Sequence, residues 1–417
     1  MCGIYGMVAE RGALTHPEVA GFMGEALRHR GPDGHADFSE PHAIIGTERL
    51  RIIDLHERAD QPFASPNGDV WLECNGEIYN APEIRSHYRD YPFRSHSDVE
   101  SILPLYLQHG VGAIPQLDGM FALAIWDNRN KTLVLARDRA GEKPLFYARV
   151  SGEIAFASEL QCLLRHSGIS REIDEIAIAE YLELGYVPEP RTPFRDVRRI
   201  EAGTYVTFRA DREEVVRYWD PASFDIEPIS DREAIRRTQN LIEDAVEKQV
   251  MSDVPVGVFI SGGMDSSILA ALASRFIGVD KVHTFSAQFA EESYDESGDA
   301  AKLAALMRTT HVPVRTDEET LREALENVTQ RVAEPLADAA ILPTFLLARE
   351  ARRHVKVILS GEGADELFGG YPTYLGHKVA PMYDAMPGFV RAMLRGYVRR
   401  VKPTTRKVTI EFLLKRF

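Results

Sequence analysis

The chain has 417 residues, 44% hydrophobic and 27% charged, which is room for two globular domains at roughly 100–200 residues each. Its formal net charge of −14 leaves no basic excess to neutralise the phosphates of a nucleic acid or an anionic membrane. Three cysteines, Cys2, Cys74 and Cys162, make no disulfide framework and suit a reducing compartment.

The opening residues MCGIYGMVAE lack the basic and long apolar stretches of a signal peptide, and no run approaches the ~20 apolar residues of a membrane span, so a cytoplasmic protein is expected. Over the first 200 or so residues, short apolar runs alternate with turn residues. Strands are expected at 43–46, 70–74, 120–126, 132–136 and 153–157, with helical patterns at 17–27 and 98–109. This mixture points to stacked, mostly antiparallel sheets with helices outside. A proline-rich passage, Val187 to Phe194, and an extended segment to Trp219 lead to a candidate linker at 220–230. Beyond it the rhythm changes. A helix is expected at 232–250, a strand at 254–260, a helix at 265–276 and a strand at 282–289, then helices at 318–332 and 343–353 and a strand at 355–359. Unbroken apolar strands alternating with helices indicate a parallel sheet covered on both faces. The basic run from Arg391 to Arg400, with Lys402, Arg406 and Lys407, is expected to be a solvated face or partner surface.

Cys2 directly follows Met1. A small second residue permits removal of the initiator, which would leave a thiol and an α-amine on one residue. An α-amine near pKa 8 can take a thiol proton at neutral pH. Downstream stand Arg28-His29-Arg30-Gly31-Pro32-Asp33, Arg49-Leu50-Arg51-Ile52, Asn75-Gly76-Glu77-Ile78-Tyr79-Asn80 and Ser97-Asp98. Asn75-Gly76 alone fits a hairpin turn, but a turn does not account for Cys2, Arg49 and Asp98 together. Behind Cys-Gly-Ile, in that order, these segments resemble the class II glutamine amidotransferases over residues 2–210. The resemblance implies an α+β N-terminal-nucleophile fold, an αββα sandwich. It also implies Cys2 as nucleophile, with the Asn75 side chain and Gly76 N–H as oxyanion donors. Arg49 would clamp the glutamine carboxylate, Glu77 and Asp98 would hold its ammonium, and Ile52 would complete the pocket with Asn75. The roles are chemically apt: a planar guanidinium fork suits a carboxylate, and preorganised donors suit an oxyanion. His29 and Asp33 are expected to shape the pocket, Cys74 to be a buried small hydrophobe, and Arg137–Leu145 to form a shaped turn after a strand.

The strand expected at 254–260 runs into Ser261-Gly262-Gly263-Met264-Asp265-Ser266-Ser267 and then a helix. This is not a Walker loop, but its glycines and helix start serve the same anion-binding end. A later strand ends in Ser360-Gly361-Glu362-Gly363-Ala364-Asp365-Glu366-Leu367-Phe368-Gly369-Gly370-Tyr371. Together the two segments resemble the ATP-pyrophosphatase half of asparagine synthetases, an α/β parallel-sheet fold, over about residues 235–380. The resemblance assigns Phe259, Ser261, Gly262, Gly263, Asp265, Ser266, Ser360 and Gly361 to ATP, Glu362 to the acyl substrate or intermediate, and Asp265 with Asp365 to Mg²⁺. Asp295-Glu296 fits a further position near the nucleotide, and Ser158-Glu159-Leu160 is expected to border an ammonia passage.

The expected organisation is therefore a glutaminase domain at 1–219, a linker at 220–230 and an asparagine synthetase-type domain at 231–417. The implied reaction hydrolyses glutamine at Cys2 and transfers ammonia to an acyl-adenylate made from aspartate and ATP. Alternatives are another carboxylate acceptor, as in glycan or secondary-metabolite pathways, and a non-synthetic glutamine-binding regulatory subunit. The oligomeric state is not readable from the residues, a homodimer being one candidate because dimers are the commonest symmetric form. Asparagine synthetases continue past the Gly-Gly-Tyr motif through a helical region with an Arg-Val-Pro-Phe-Leu-Asp motif. That motif does not occur before Phe417, so the synthetase half is expected to be incomplete.

Overall fold

In the computed structural model, which describes residues 1–210, 212–371 and 373–398, the chain forms two compact units. The first comprises Met1–Asn240 with Met251–Asp253 and Glu326–Ala339, and the second the remaining described residues from Leu241 onward.

Among the described residues, the first unit holds two six-stranded sheets, antiparallel throughout. One runs in the order Val197–Arg199, Phe146–Val150, Glu153–Ala157, Gly3–Ala9, Ala43–Arg49, Gly34–Glu40. The other runs Arg212–Arg217, Thr204–Arg209, Thr132–Arg137, Gly119–Asp127, Val70–Ile78, Phe63–Ala64. Strand alternation sorts side chains into three layers. Ile4, Val8, Ala43 and Ile45 of the first sheet meet Ala122, Ala124, Trp126 and Leu135 of the second in a buried cluster between the sheets. On the far side of the first sheet, Tyr5, Met7 and Ile44 pack with Val19, Met23 and Leu27 of helix Val19–Leu27. On the far side of the second, Leu72, Cys74 and Leu123 pack with Ile84 of helix Ala81–His87 and with Leu103 and Tyr106 of helix Ile102–His109. The layering is the expected αββα sandwich.

Several strands run further than the apolar runs suggested. The strand expected to end at residue 74 continues to Ile78, so Asn75-Gly76 is mid-strand, opposite Ala122 and Phe121, and not a hairpin turn. Gly76 is needed there because a Cβ would lie 2.1 Å from the Met120 carbonyl oxygen. Gly3–Ala9, Gly34–Glu40 and Phe146–Val150 are strands that periodicity did not mark.

The second unit carries a four-stranded parallel sheet in the order Thr310–Thr316, His283–Phe289, Val256–Phe259, Val357–Leu359. One face packs Val256 and Val258 against Ala270 and Ala273 of helix Met264–Ile277 and Ala300 and Ala304 of helix Ser297–Met307. The other packs Phe285 and Val314 against Ala324, Leu346 and Ala351 from helices Glu318–Thr329 and Ile341–Ala351. Chain order reverses between Val256–Phe259 and Val357–Leu359, which makes the space beyond their carboxyl ends the topological switch point where ligands bind in open α/β sheets. No helix among the described residues is long and apolar enough to cross a membrane. Of the C-terminal basic run, Arg391 and Arg395 fall in helix Gly388–Val398, while Arg399, Arg400, Lys402, Arg406 and Lys407 lie outside the described residues.

Phe156, fully buried between the sheets, tests the first unit's core. Truncation of such a ring costs about 3–5 kcal/mol. Because Trp71, Trp126 and Trp219 all belong to this unit, Phe156→Ala is expected to lower the urea midpoint followed by tryptophan fluorescence. Leu182→Ala, at a position 77% exposed, is expected to leave it unchanged.

Candidate active site

The first unit's cavity opens where the sandwich layers end. Cys2 precedes strand Gly3–Ala9 on the parity of Ile4 and Val8, the residues that face the second sheet. Arg49 closes the neighbouring antiparallel strand. On strand Val70–Ile78, Leu72, Cys74 and Ile78 belong to the helix-side cluster. Glu73, Asn75 and Glu77 have the opposite parity, and Glu73 accepts a hydrogen bond from Thr47 of the first sheet at 3.1 Å. One cavity is consequently lined by Cys2, Arg49, Ile52, Asn75, Gly76, Glu77 and Asp98, which are all the residues assigned to glutamine from the sequence.

The Cys2 thiol lies 3.7 Å from the Leu50 carbonyl oxygen, and Arg30 Nε donates to the Cys2 carbonyl at 3.0 Å. Arg30 is itself paired with Glu159 at 2.8 Å, and His29 Nε2 lies 3.0 Å from the same carboxylate. Burial pushes Glu159 up, but the bonds from His29 and Arg30 outweigh it and hold the carboxyl at about 2. Ser158 Oγ accepts from Ile4 N–H at 3.0 Å, and Asp33 accepts from Arg51 N–H at 3.0 Å. These residues brace the start of the chain and the Arg49–Ile52 segment. The α-amine here belongs to Met1. Burial foremost brings its pKa down to about 6, with Arg30 and Lys143 adding to the fall and Cys2 and Glu77 opposing it.

Asn75 is 1% exposed, and among the described residues neither its side-chain carbonyl oxygen nor its amide nitrogen has a hydrogen-bond partner. Buried polar groups are normally satisfied, so an unpaired amide beside a thiol is a donor waiting for an acceptor. Burial and then Asp98 raise the Glu77 carboxyl to about 7, against the pull of Lys143 and the terminal amine. Burial also raises Asp98, although the Ile78 N–H donates to it at 2.7 Å.

Arg49 departs from the expected arrangement. One terminal nitrogen donates to Asp60 (2.7 Å) and the His56 carbonyl (3.2 Å), the other to the carbonyls of Ile53 (3.0 Å) and Asp54 (2.7 Å). All four terminal N–H groups are thereby engaged by the protein, leaving Nε–H for a ligand. Asp60 also takes Arg51 at 2.7 Å. Sequence reasoning missed Gln61, Ser97 and Lys143, which line the same cavity. The signal for Lys143 was a cation placed directly before the apolar run Pro144–Tyr147.

The second unit's cavity, about 390 Å³, occupies the switch point. Phe259, Ser261, Gly263, Asp265 and Ser266 line it from one strand end, and Ser360, Gly361, Glu362 and Asp365 from the other. Gly262 does not line it. Its φ of +79° turns the loop, and a Cβ there would stand 2.9 Å from Asp299 Cβ. The Ser261 N–H donates to Ser266 Oγ at 3.2 Å and Gly263 N–H to Ser261 Oγ at 3.3 Å, fixing the loop at the start of helix Met264–Ile277. Glu296 lines the cavity. Asp295 does not, and instead accepts from the N–H groups of Phe289 (3.3 Å) and Ser297 (3.1 Å).

Residues 1–219 match the family model described as a glutamine amidotransferase domain, and residues 237–413 match the model described as asparagine synthase. A putative glutamine-hydrolyzing asparagine synthetase 2 of Methanocaldococcus jannaschii is 32% identical over 414 residues, covering 94% of this chain and 80% of that protein. The chain belongs to the glutamine-hydrolysing asparagine synthetase family. Family members also include asparagine synthetase (glutamine-hydrolyzing) 1 of Bacillus subtilis, 34% identical over 94% of this chain. A putative glutamine-hydrolyzing asparagine synthetase of Mycobacterium tuberculosis is 39% identical over 93% of it. The chain spans 62% and 63% of the lengths of these two relatives.

Glu77 generates a prediction with a definite sign. A carboxyl raised in the fold stabilises it while protonated, and that contribution is lost as pH rises from the ordinary carboxylate range through about 7. Glu77→Gln is therefore expected to melt above the wild type at about pH 8.

Proposed function

We propose that this chain is a glutamine-dependent asparagine synthetase, with a glutaminase domain at 1–219, a linker at 220–230 and a synthetase domain at 231–417. The observation that carries the reading is the buried, unpartnered Asn75 amide in the same cavity as the Cys2 thiol and the Glu77 and Asp98 carboxylates. The Cys2 sulfur attacks the side-chain carbonyl carbon of glutamine as its proton passes to the α-amine that removal of Met1 frees on the same residue. The Asn75 amide and the Gly76 N–H receive the negative charge on oxygen. Collapse of the tetrahedral intermediate breaks the C–N bond, returns the proton to the leaving nitrogen and frees ammonia. Water then hydrolyses the γ-glutamyl thioester to glutamate. Glu77 and Asp98 hold the substrate ammonium, and Arg49 contributes its remaining Nε–H to the carboxylate end, with Ile52 packing alongside.

In the second cavity the β-carboxylate of aspartate attacks the α-phosphorus of ATP, expelling pyrophosphate. Ammonia then attacks the acyl carbon and AMP departs, leaving asparagine. The Ser261–Ser266 loop and the Ser360–Gly361 turn hold the nucleotide, and Glu362 adjoins the acyl group. The two carboxylates proposed for the metal, Asp265 and Asp365, line this cavity together with Glu296, Glu362 and Glu366. No cluster of three or more acidic, His or Cys ligands occurs among the described residues. That donor set fits Mg²⁺, which takes one or two carboxylates and completes its shell with phosphate oxygens and water. When bound, the ion would neutralise charge on the polyphosphate. A cytoplasmic homodimer is the proposed setting.

Product analysis with ¹⁵N-amide glutamine, aspartate, ATP and Mg²⁺ tests the reading. Labelled asparagine, AMP and pyrophosphate are expected, with glutamine-dependent transfer abolished in Cys2→Ala and retained there with free ammonia. Glutamate formation without asparagine or AMP would contradict the synthetase assignment.

A further inference from the structure

The turn that follows strand Thr132–Arg137 is held from both sides. The Asp138 carboxylate accepts from the N–H groups of Ala140 and Glu142 at 3.0 Å and Lys143 at 3.1 Å. Arg137 Nε donates to the Lys143 carbonyl at 2.7 Å. This fixed backbone delivers the Lys143 side chain, 8% exposed, into the cavity that contains Cys2.

Among the described residues, the Lys143 ammonium makes no hydrogen bond and no ion pair. The other cations near the nucleophile are committed. Arg30 is paired with Glu159 and bonded to the Cys2 carbonyl, and Arg49 has its terminal N–H groups on Asp60 and three backbone carbonyls. A largely buried lysine with no hydrogen bond or ion pair favours the arrival of an anion in its cavity. Glutamine is a zwitterion and adds no net charge to a cavity that already holds Glu77 and Asp98. The nucleophile does add charge, because attack requires an anion on Cys2 sulfur.

We propose that Lys143 supplies the counter-charge for the Cys2 thiolate, making it a positioning and electrostatic residue of the glutaminase site. The inference rests on reading this cavity as the glutaminase site. In the step concerned, the S–H bond breaks, its electron pair stays on sulfur and the proton goes to the α-amine that removal of Met1 frees on Cys2. Lys143 acts on both sides of this transfer, favouring the thiolate and disfavouring the ammonium. The other charged groups facing Lys143 are Glu142, Glu77, Asp138 and Arg30. Burial lowers its own pKa while the three carboxylates pull it back.

Alkylation by iodoacetamide reads the thiolate without any turnover. Cys74 and Cys162 are fully buried and burial raises both thiols, so Cys2 is the cysteine the reagent meets, and Cys2→Ala supplies the blank. Intact mass of the full chain counts adducts and records whether Met1 has been removed. Lys143→Met is expected to slow alkylation near neutral pH by about tenfold or more, a single nearby opposite charge being worth one unit or more, and to displace the pH–rate profile to higher pH. Lys143→Arg should keep the wild-type profile, and Lys143→Gln gives the same reading as Lys143→Met should the latter fail to fold. An unchanged profile in the neutral variants, including one accompanied by a raised glutamine KM, would overturn the proposal, as would Lys143→Arg behaving like Lys143→Met. Loss of glutamate formation in the wild type with the alkylation differences intact would instead tell against the glutaminase reading.

Discussion

The register between strands Val70–Ile78 and Gly119–Asp127 is the constraint on which the first site depends. With Gly76 opposite Phe121, Glu73, Asn75 and Glu77 all project toward the first sheet, and the helix-side core keeps Leu72, Cys74 and Ile78. A slip of one residue would reverse every one of these. The close approach of the Met120 carbonyl excludes any side chain at Gly76, so the same glycine locks the register and leaves an N–H beside the nucleophile. Cys2 and Arg49 reach the same end of the sandwich because their strands are antiparallel neighbours, with Gly3 opposite Glu48.

That geometry buries polar groups the fold does not satisfy. Among the described residues Asn75 has no partner for either amide atom and the largely buried Lys143 makes no ion pair, while the Glu77 carboxyl is raised to about 7. Each lowers stability relative to a paired or apolar side chain. Under the proposed reading they serve an amino-acid amide: a carboxylate for the ammonium, an amide for the oxyanion, and a cation for the thiolate. Strain of this kind, concentrated at one end of an otherwise well-packed sandwich, is what a preorganised site requires. The second unit takes a different route. Its loops are internally bonded through Ser261 and Ser266, and its ligand site follows from where chain order reverses in a parallel sheet.

Much of this was legible in the sequence, for identifiable reasons. The central strands of both units carry apolar runs long enough to mark them, and the pocket residues lie in short segments whose order is itself a pattern. Strands such as Gly3–Ala9 and Gly34–Glu40 escaped because glycines and polar residues interrupt their periodicity; pairing with Ala43–Arg49 gives them structure that local propensity does not. Asn75-Gly76 has the composition of a turn, and only its partner strand makes it mid-strand. Lys143 reads in the sequence as part of a shaped turn, since nothing local reveals that the turn held by Asp138 and Arg137 places it in the cavity with Cys2. The engagement of Arg49 by Asp60 was equally hidden, because the pairing depends on how residues 50–60 loop back.

The central claim is that Cys2 works as a nucleophile on glutamine with Asn75 as its oxyanion partner. Rapid acid quench of the full chain with glutamine, followed by peptide mass spectrometry, tests it most directly. The account predicts a γ-glutamyl adduct on the peptide containing Cys2, lost in Cys2→Ala and depleted in Asn75→Ala because the step that forms it slows. Glutamate production with no adduct on Cys2, or an adduct whose formation is indifferent to Asn75, would contradict it.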